Sequence, residues 1–194
     1  MDQRYDQVLL VTHSVGGQLL GLVGGLERVS GIYMVASQSG WVGHWRGVDR
    51  LKAQIAFYGY IPLVAPLLGY VPGKLIGSED LPAGVAQEWA RWGRHRDYVL
   101  SHGAHVAEGF RRIQAPVVAV SIDDDFFAPQ PAVDALTGFL GQAPVTRRHF
   151  TPRDLGVDRI GHFGFFRPQF ATALWADAIA TLGSWRQERG EAVH

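Results

Sequence analysis

Four short runs of almost unbroken apolar sequence constrain this chain more than any other feature. They lie in Asp6 to Thr12 (around Val8-Leu9-Leu10-Val11), Gly31 to Ser37, Ala115 to Ile122, and Val145 to Thr151. Runs of this length and composition read as strands covered on both faces, the pattern of a parallel sheet. Arg147 and Arg148 in the fourth run place that strand at an edge. Helical periodicity fills the gaps. Val15 to Arg28 carries Leu19, Leu20, Leu22, Val23 and Leu26, and its glycines at 16, 17, 21, 24 and 25 permit close packing against a sheet at a cost in helix propensity. A second helix is expected around Ala132 to Leu140. A terminal one is expected over Pro168 to Arg186, with Phe170, Leu174, Trp175, Ile179 and Leu182 on one stripe. The order predicts an α/β fold of about four mainly parallel strands, with right-handed crossovers putting helices on both faces.

Residues 41–112 have a different character. They hold four of the six tryptophans, at 41, 45, 89 and 92, in helical sequence interrupted by Gly and Pro. The reading is a sheet layer built from residues 1–40 and 113–194, with 41–112 inserted as a helical cap. Ile55 to Pro72 is apolar enough to suggest a membrane span. Pro62, Pro66 and Pro72 with Gly59 and Gly69 argue instead for a buried or pocket-lining segment. Trp41, His44, Trp45, Phe57, Tyr58, Tyr60, Trp89 and Trp92 are candidate pocket rings, and each could equally build the insertion's own core.

The composition excludes several classes. Eighteen basic and eighteen acidic residues give no net charge, so nothing draws the chain to nucleic acid. Cysteine is absent, which removes disulfides, thiolate metal sites and a Cys nucleophile. No metal or organic cofactor is expected: His102 and His105 lack a zinc-type spacing, and no phosphate-binding glycine loop occurs. The polar start, Met1 to Gln7, precedes too short an apolar run for a secretory signal, and a cytoplasmic location is expected. Arg111-Arg112 and Arg147-Arg148 read as surface charge.

The first strand runs straight into Thr12-His13-Ser14-Val15-Gly16-Gly17 and then a helix. A Ser at such a turn is either an N-cap or a nucleophile thrust out at the end of the sheet. As a nucleophile it needs small residues two before and two after. Gly16 meets that demand, and Thr12 stands where Gly is usual. The backbone N–H of Val15, at the helix start, would face a substrate oxyanion. The third strand ends in Asp123-Asp124-Asp125-Phe126-Phe127-Ala128-Pro129. A carboxylate there shares the rim with Ser14 and can orient an imidazole; Asp125 is favoured and Asp124 is the fallback. His162 lies in Ile160-Gly161-His162-Phe163-Gly164, where flexible flanks let the ring turn inward. His13, beside Ser14, reads as structural rather than as the base. Serine, acid and histidine fall in the chain order of one established arrangement.

These segments resemble the α/β-hydrolase superfamily: THSVGG at 12–17, the strand and turn APVVAVSIDDDFFAP at 115–129, and IGHFGFFR at 160–167. The segment LPAGVAQEWARW at 81–92 is similar to the cap of a bacterial group of capped hydrolases. The resemblance implies Ser14 as nucleophile, Asp125 as acid and His162 as base. The resemblance does not imply a substrate; the triad points to a small ester, or less readily an amide, and the apolar content of the insertion favours an apolar acyl or aromatic part. The resemblance covers only the second half of the family core, so the chain is expected to be N-terminally incomplete. The Ser14 strand would then carry an unpaired outer edge open to a homo-oligomeric contact. Two alternatives stay open: an acyltransferase using the same triad, and a catalytically inactive truncated fragment or interaction module.

Overall fold

The computed structural model describes residues 7–76 and 79–191. They fall into two compact units: the chain up to Gln38 together with His105 onward, and Ser39–Ala104. In chain order the strands are β1 Val8–His13, β2 Val29–Val35, β3 Tyr70–Val71, β4 Leu81–Pro82, β5 Val117–Ile122 and β6 Val145–Phe150. The helices are α1 Val15–Gln18, α2 Gly47–Gln54, α3 Ile61–Leu68, α4 Gly73–Ile76, α5 Ala83–Arg94, α6 Ala104–Arg111, α7 Gln130–Thr137 and α8 Ala176–Glu191.

The first unit is an α/β layer. Its sheet runs β1-β2-β5-β6 with every neighbouring pair parallel, as the four apolar runs predict. Asp6, read as the start of the first strand, lies outside the described residues. β2 and β5 are buried along their whole length. β1 and β6 are the two edges, and Val11 on β1 is 49% exposed. The expectation of full cover thus holds for the two central strands alone.

The helix read over Val15 to Arg28 is shorter in the structure. α1 is a single turn, followed by 3-10 turns at Leu20–Leu22 and Leu26–Arg28. Gly25 takes φ +82°, a left-handed conformation that ends any continuous helix. The glycines do allow close approach, but partly to a helix rather than to the sheet. A Cβ on Gly21 would fall 2.4 Å from the Phe110 ring of α6, and one on Gly109 only 1.9 Å from the Gly21 carbonyl oxygen. α6 therefore packs within the sheet unit. On β2, the Trp185 ring of α8 occupies the space where a Cβ of Gly31 would stand.

Arg147 and Arg148 do more than decorate a surface. Arg148 on β6 pairs with Asp177 of α8, whose Oδ2 also accepts the Tyr33 hydroxyl of β2 at 2.6 Å. Burial and the neighbouring carboxylate both push the Tyr33 phenol well above its ordinary pKa. It therefore stays a hydrogen-bond donor. Arg147 reaches Asp134 of α7 at 2.7 Å and the Ala119 carbonyl of β5. Arg111 and Arg112 both pair with Glu108 one turn back.

The second unit is helical, with a two-stranded β3-β4 ribbon. From Gly47 to Leu68 the backbone stays helical for 22 residues, passing through a π-helical stretch at Ile55–Tyr60. Gly59, Pro62 and Pro66 do not interrupt it; Pro62 sits in the first turn of α3. Gly69, at φ +78°, ends it by bonding its N–H to the Ala65 carbonyl. By length and composition alone this run could cross a bilayer. Ala53, Phe57, Ile61 and Ala65 nevertheless form one buried row with Val42, Trp45, Val71, Ala86 and Ala90. That row repeats every four residues. An ideal α-helix would rotate it by about 40° at each step, and the wider π turns absorb part of that drift. Leu51, Ile55, Leu63 and Leu67 make a second apolar row, and all four are exposed.

The two rows should respond differently to mutation. Phe57→Ala is expected to cost about 3–5 kcal/mol, as a large ring removed from a packed core does. Leu67→Gln, at a position 81% exposed, should stay within about 0.5 kcal/mol of the parent. Urea unfolding of the two variants measures both.

Candidate active site

Parallel pairing aligns the C-terminal ends of β1, β2 and β5: His13 lies beside Val35, and Val35 beside Val120. Whatever follows β1 and β5 therefore meets on one rim of the first unit. Ser14 is the first residue past β1. Its N–H donates to the Val35 carbonyl at 2.9 Å, which continues the ladder by one bond. Its backbone sits at φ +48° and ψ −117°. That is a sparsely populated region for any residue but glycine, and it costs on the order of 1–3 kcal/mol. No side-chain capping bond accompanies it, so the Ser14 hydroxyl is not acting as an ordinary N-cap.

The need for small residues around Ser14 falls differently than expected. A Cβ on Gly16 would meet Thr12 Cβ at 3.6 Å, an ordinary contact, so the bulk of Thr12 is accommodated opposite it. The tight position is Gly17. A Cβ there would lie 2.3 Å from Ser37 Oγ and 3.0 Å from the Met34 side chain. Val15 starts a helix of only four residues. The dipole expected to assist its N–H is therefore that of a single turn, little more than its own free N–H groups.

The three adjacent aspartates part company. Asp123 is exposed and lies 3.6 Å from His149. Asp124 turns to the loop before His162: its two oxygens accept the N–H groups of Ile160 (3.0 Å) and Gly161 (2.9 Å). Asp125 is 3% exposed. Its Oδ1 accepts the N–H groups of Phe127 and Ala128 at 2.8 and 3.1 Å, and its Oδ2 accepts His162 Nδ1–H at 2.8 Å. An ionised carboxylate only accepts, so this bond places the Nδ1 proton on His162 and leaves Nε2 as the basic nitrogen.

The His162 ring is buried between Phe127 and Phe163, with centroids 5.1 and 4.9 Å away, and the His13 ring 4.7 Å away. Gly161, at φ +68°, makes the turn that sends the ring inward. His13 is tied to the same loop, its Nε2–H donating to the His162 carbonyl at 3.0 Å. Asp125 and His162 are thus joined directly, and His162 is joined to the neighbour of Ser14. The His13 contact and the loop-holding role of Asp124 had no sequence signal beyond adjacency, because their partners lie far along the chain.

No family model matches the sequence, and no curated protein matches it significantly. Solved structures do. A monoacylglycerol lipase from Paleococcus ferrophilus superposes with a TM-score of 0.53 at 14% identity, over 93% of this chain and 69% of its own. One from a study of LipS and LipT, two metagenome-derived lipolytic enzymes, gives 0.54 at 17%, over 95% and 67%. The chain has the α/β-hydrolase fold. Esterase B from Lactobacillus rhamnosis, of the same hydrolase fold, gives 0.55 at 14% identity, over 96% of this chain and 55% of its own. The chain therefore spans about two thirds of the first two and just over half of the third.

The candidate pocket rings of the second unit lie largely in that unit's own core. Trp45, Phe57 and Trp92 are buried there, and Trp89 packs edge-on against Phe57 with centroids 5.0 Å apart. The Trp89 indole N–H donates to the buried Tyr98 hydroxyl at 2.9 Å. Trp41 is partly buried against the same core, and His44 stacks edge-on to it at 5.2 Å. Tyr58 is exposed beneath the Arg94 guanidinium. His102 and His105 fall in different units, and His102 pairs with Glu88 at 3.1 Å. Around His162 and His13, the exposed aromatic rings of the first unit are Phe163 and Phe166, at 52% and 45% exposure. Sequence reasoning did not single them out as substrate contacts, although both stand beside His162 in the chain.

Burial holds the His13 imidazole below its ordinary pKa of 6.5, and it does the same to His44. In the unfolded chain both regain the ordinary value, so near and below 6.5 the unfolded state binds more protons. The stability these two groups contribute is complete above pH 6.5 and is lost as pH falls through their native values. The urea midpoint should therefore fall as the pH is lowered from 6.5, and His13→Gln should flatten part of that slope.

Proposed function

We propose that the protein is a serine hydrolase acting on carboxylic esters, with Ser14 as nucleophile, His162 as general base and Asp125 as the orienting acid. The observation that carries this reading is the buried Asp125–His162 hydrogen bond, with the His162 backbone carbonyl held by His13, the residue beside a backbone-strained Ser14. The known proteins of similar fold described above, a lipase, lipolytic enzymes and an esterase, support the same chemistry.

His162 Nε2 takes the Ser14 proton as Oγ attacks the substrate carbonyl, and the resulting oxyanion faces the Val15 N–H. Collapse breaks the ester bond, and His162 gives its proton to the departing alkoxide. Water then attacks the acyl-enzyme with His162 again as base, releasing the acid and restoring Ser14. Asp125 stabilises the imidazolium formed in both halves. An alcohol or thiol in place of water would make the same acyl-enzyme a transferase intermediate. The exposed Phe163 and Phe166 rings beside the two imidazoles favour an apolar acyl or aromatic substrate.

A fluorophosphonate probe tests the assignment. Ser14 should be labelled in the parent, and Ser14→Ala should remove labelling. His162→Ala and Asp125→Asn should slow it by about 10²–10⁴-fold, the usual range for a positioned general base. Folded protein that takes up no label would instead favour a catalytically silent hydrolase fold acting by interaction. The exposed Val11 edge of β1 is the feature that fits that second reading.

A further inference from the structure

The imidazole of His162 is carried on a loop, and loops move unless something holds them. Two groups outside the Ser-Asp-His set hold this one, from two different strands. Past the end of β5, Asp124 uses both carboxylate oxygens on consecutive backbone N–H groups, Ile160 and Gly161, just before the histidine. At the end of β1, His13 gives its Nε2–H to the backbone carbonyl of His162 itself. The first clasp fixes where the loop enters the rim, and the second fixes the peptide that bears the ring. Between them Gly161, at φ +68°, makes the turn.

We infer that His13 and Asp124 are positioning residues that set the His162 imidazole over the rim. The inference rests on the hydrolase reading for its effect on rate, but not for its effect on the imidazole. A carbonyl can only accept, so His13 must carry its proton on Nε2 to make the bond. Burial supports this by keeping the ring neutral. The one N–H of the neutral His13 ring is thus committed to the loop. Its ring is wedged among His162, Phe163 and Phe166 at centroid distances of 4.7, 5.5 and 5.2 Å. Asp124, beside the acid in sequence, does a different job because alternate residues leaving a strand face different ways. Its carboxylate meets backbone where Asp125 meets the ring.

Four variants of the full chain test this. His13→Phe keeps a ring for the aromatic contacts and removes the donor, whereas His13→Gln restores a donor of similar reach. Asp124→Asn keeps one of the two acceptor oxygens, and Asp124→Ala keeps neither. Two readouts apply to each: exchange of the His162 Nδ1 proton with solvent, followed by NMR, and the rate of fluorophosphonate labelling at Ser14. Thermal melts confirm that each variant is folded. His13→Phe and Asp124→Ala are expected to speed proton exchange and to slow labelling by about 10–100-fold, as a small misplacement of a catalytic group does. Asp124→Asn should fall between Asp124→Ala and the parent, and His13→Gln should stay near the parent. Parent-like exchange and labelling in folded His13→Phe and Asp124→Ala would overturn the inference. So would a loss in His13→Gln equal to that in His13→Phe. If the parent is never labelled but exchange follows the expected order, the hydrolase reading fails and the positioning role stands.

Discussion

Parallel pairing of β2 with β1 on one side and β5 on the other is the constraint from which the site follows. Parallel strands end on the same rim, so residues leaving β1 and β5 are brought together although more than half the chain lies between them. Reversing β5 alone against β1 and β2 would send Ser14 and Asp125 to opposite ends of the sheet. The ladder extends one bond past β1, through Ser14 N–H to Val35, and that bond helps hold Ser14 in its strained conformation. Central burial of β2 and β5 gives the rim a rigid base.

The aspartate triplet shows how a single geometric change sorts chemically identical groups. Asp123 faces solvent near His149, Asp124 binds two peptide N–H groups, and Asp125 is enclosed with its oxygens divided between backbone and imidazole. A carboxylate held by several hydrogen bonds cannot swing to another partner without breaking them, so the loop carrying His162 and the ring itself are held by different residues. The same division recurs away from the site. Asp177 joins Tyr33 of β2 to Arg148 of β6, linking α8 to two strands through one carboxylate.

The second unit answers a different demand. Its long helical run carries two apolar rows, and only one is covered by the unit's own aromatic core. The π-helical turns at Ile55–Tyr60 take up part of the drift of its four-residue repeat. Gly69 then stops the run at a point no hydrophobic pattern would mark.

The layer is legible in the amino-acid pattern alone. The four apolar runs fall on β1, β2, β5 and β6, and the Arg-bearing fourth run is an edge. Sequence also put Ser14, Asp125 and His162 in a suggestive order, because residue type and position next to strand ends are local properties. It misread the helix after Ser14, where Gly25 turns left-handed and α6 occupies the space beside Gly21. Folding alone settles that Asp125 rather than Asp124 meets the histidine, that Gly17 rather than Gly16 is the tight position, and that His13 and Asp124 bond the loop. Each of these depends on the distance between atoms far apart in the chain. Local patterning encodes which face a residue presents, and long-range packing alone encodes what it meets there.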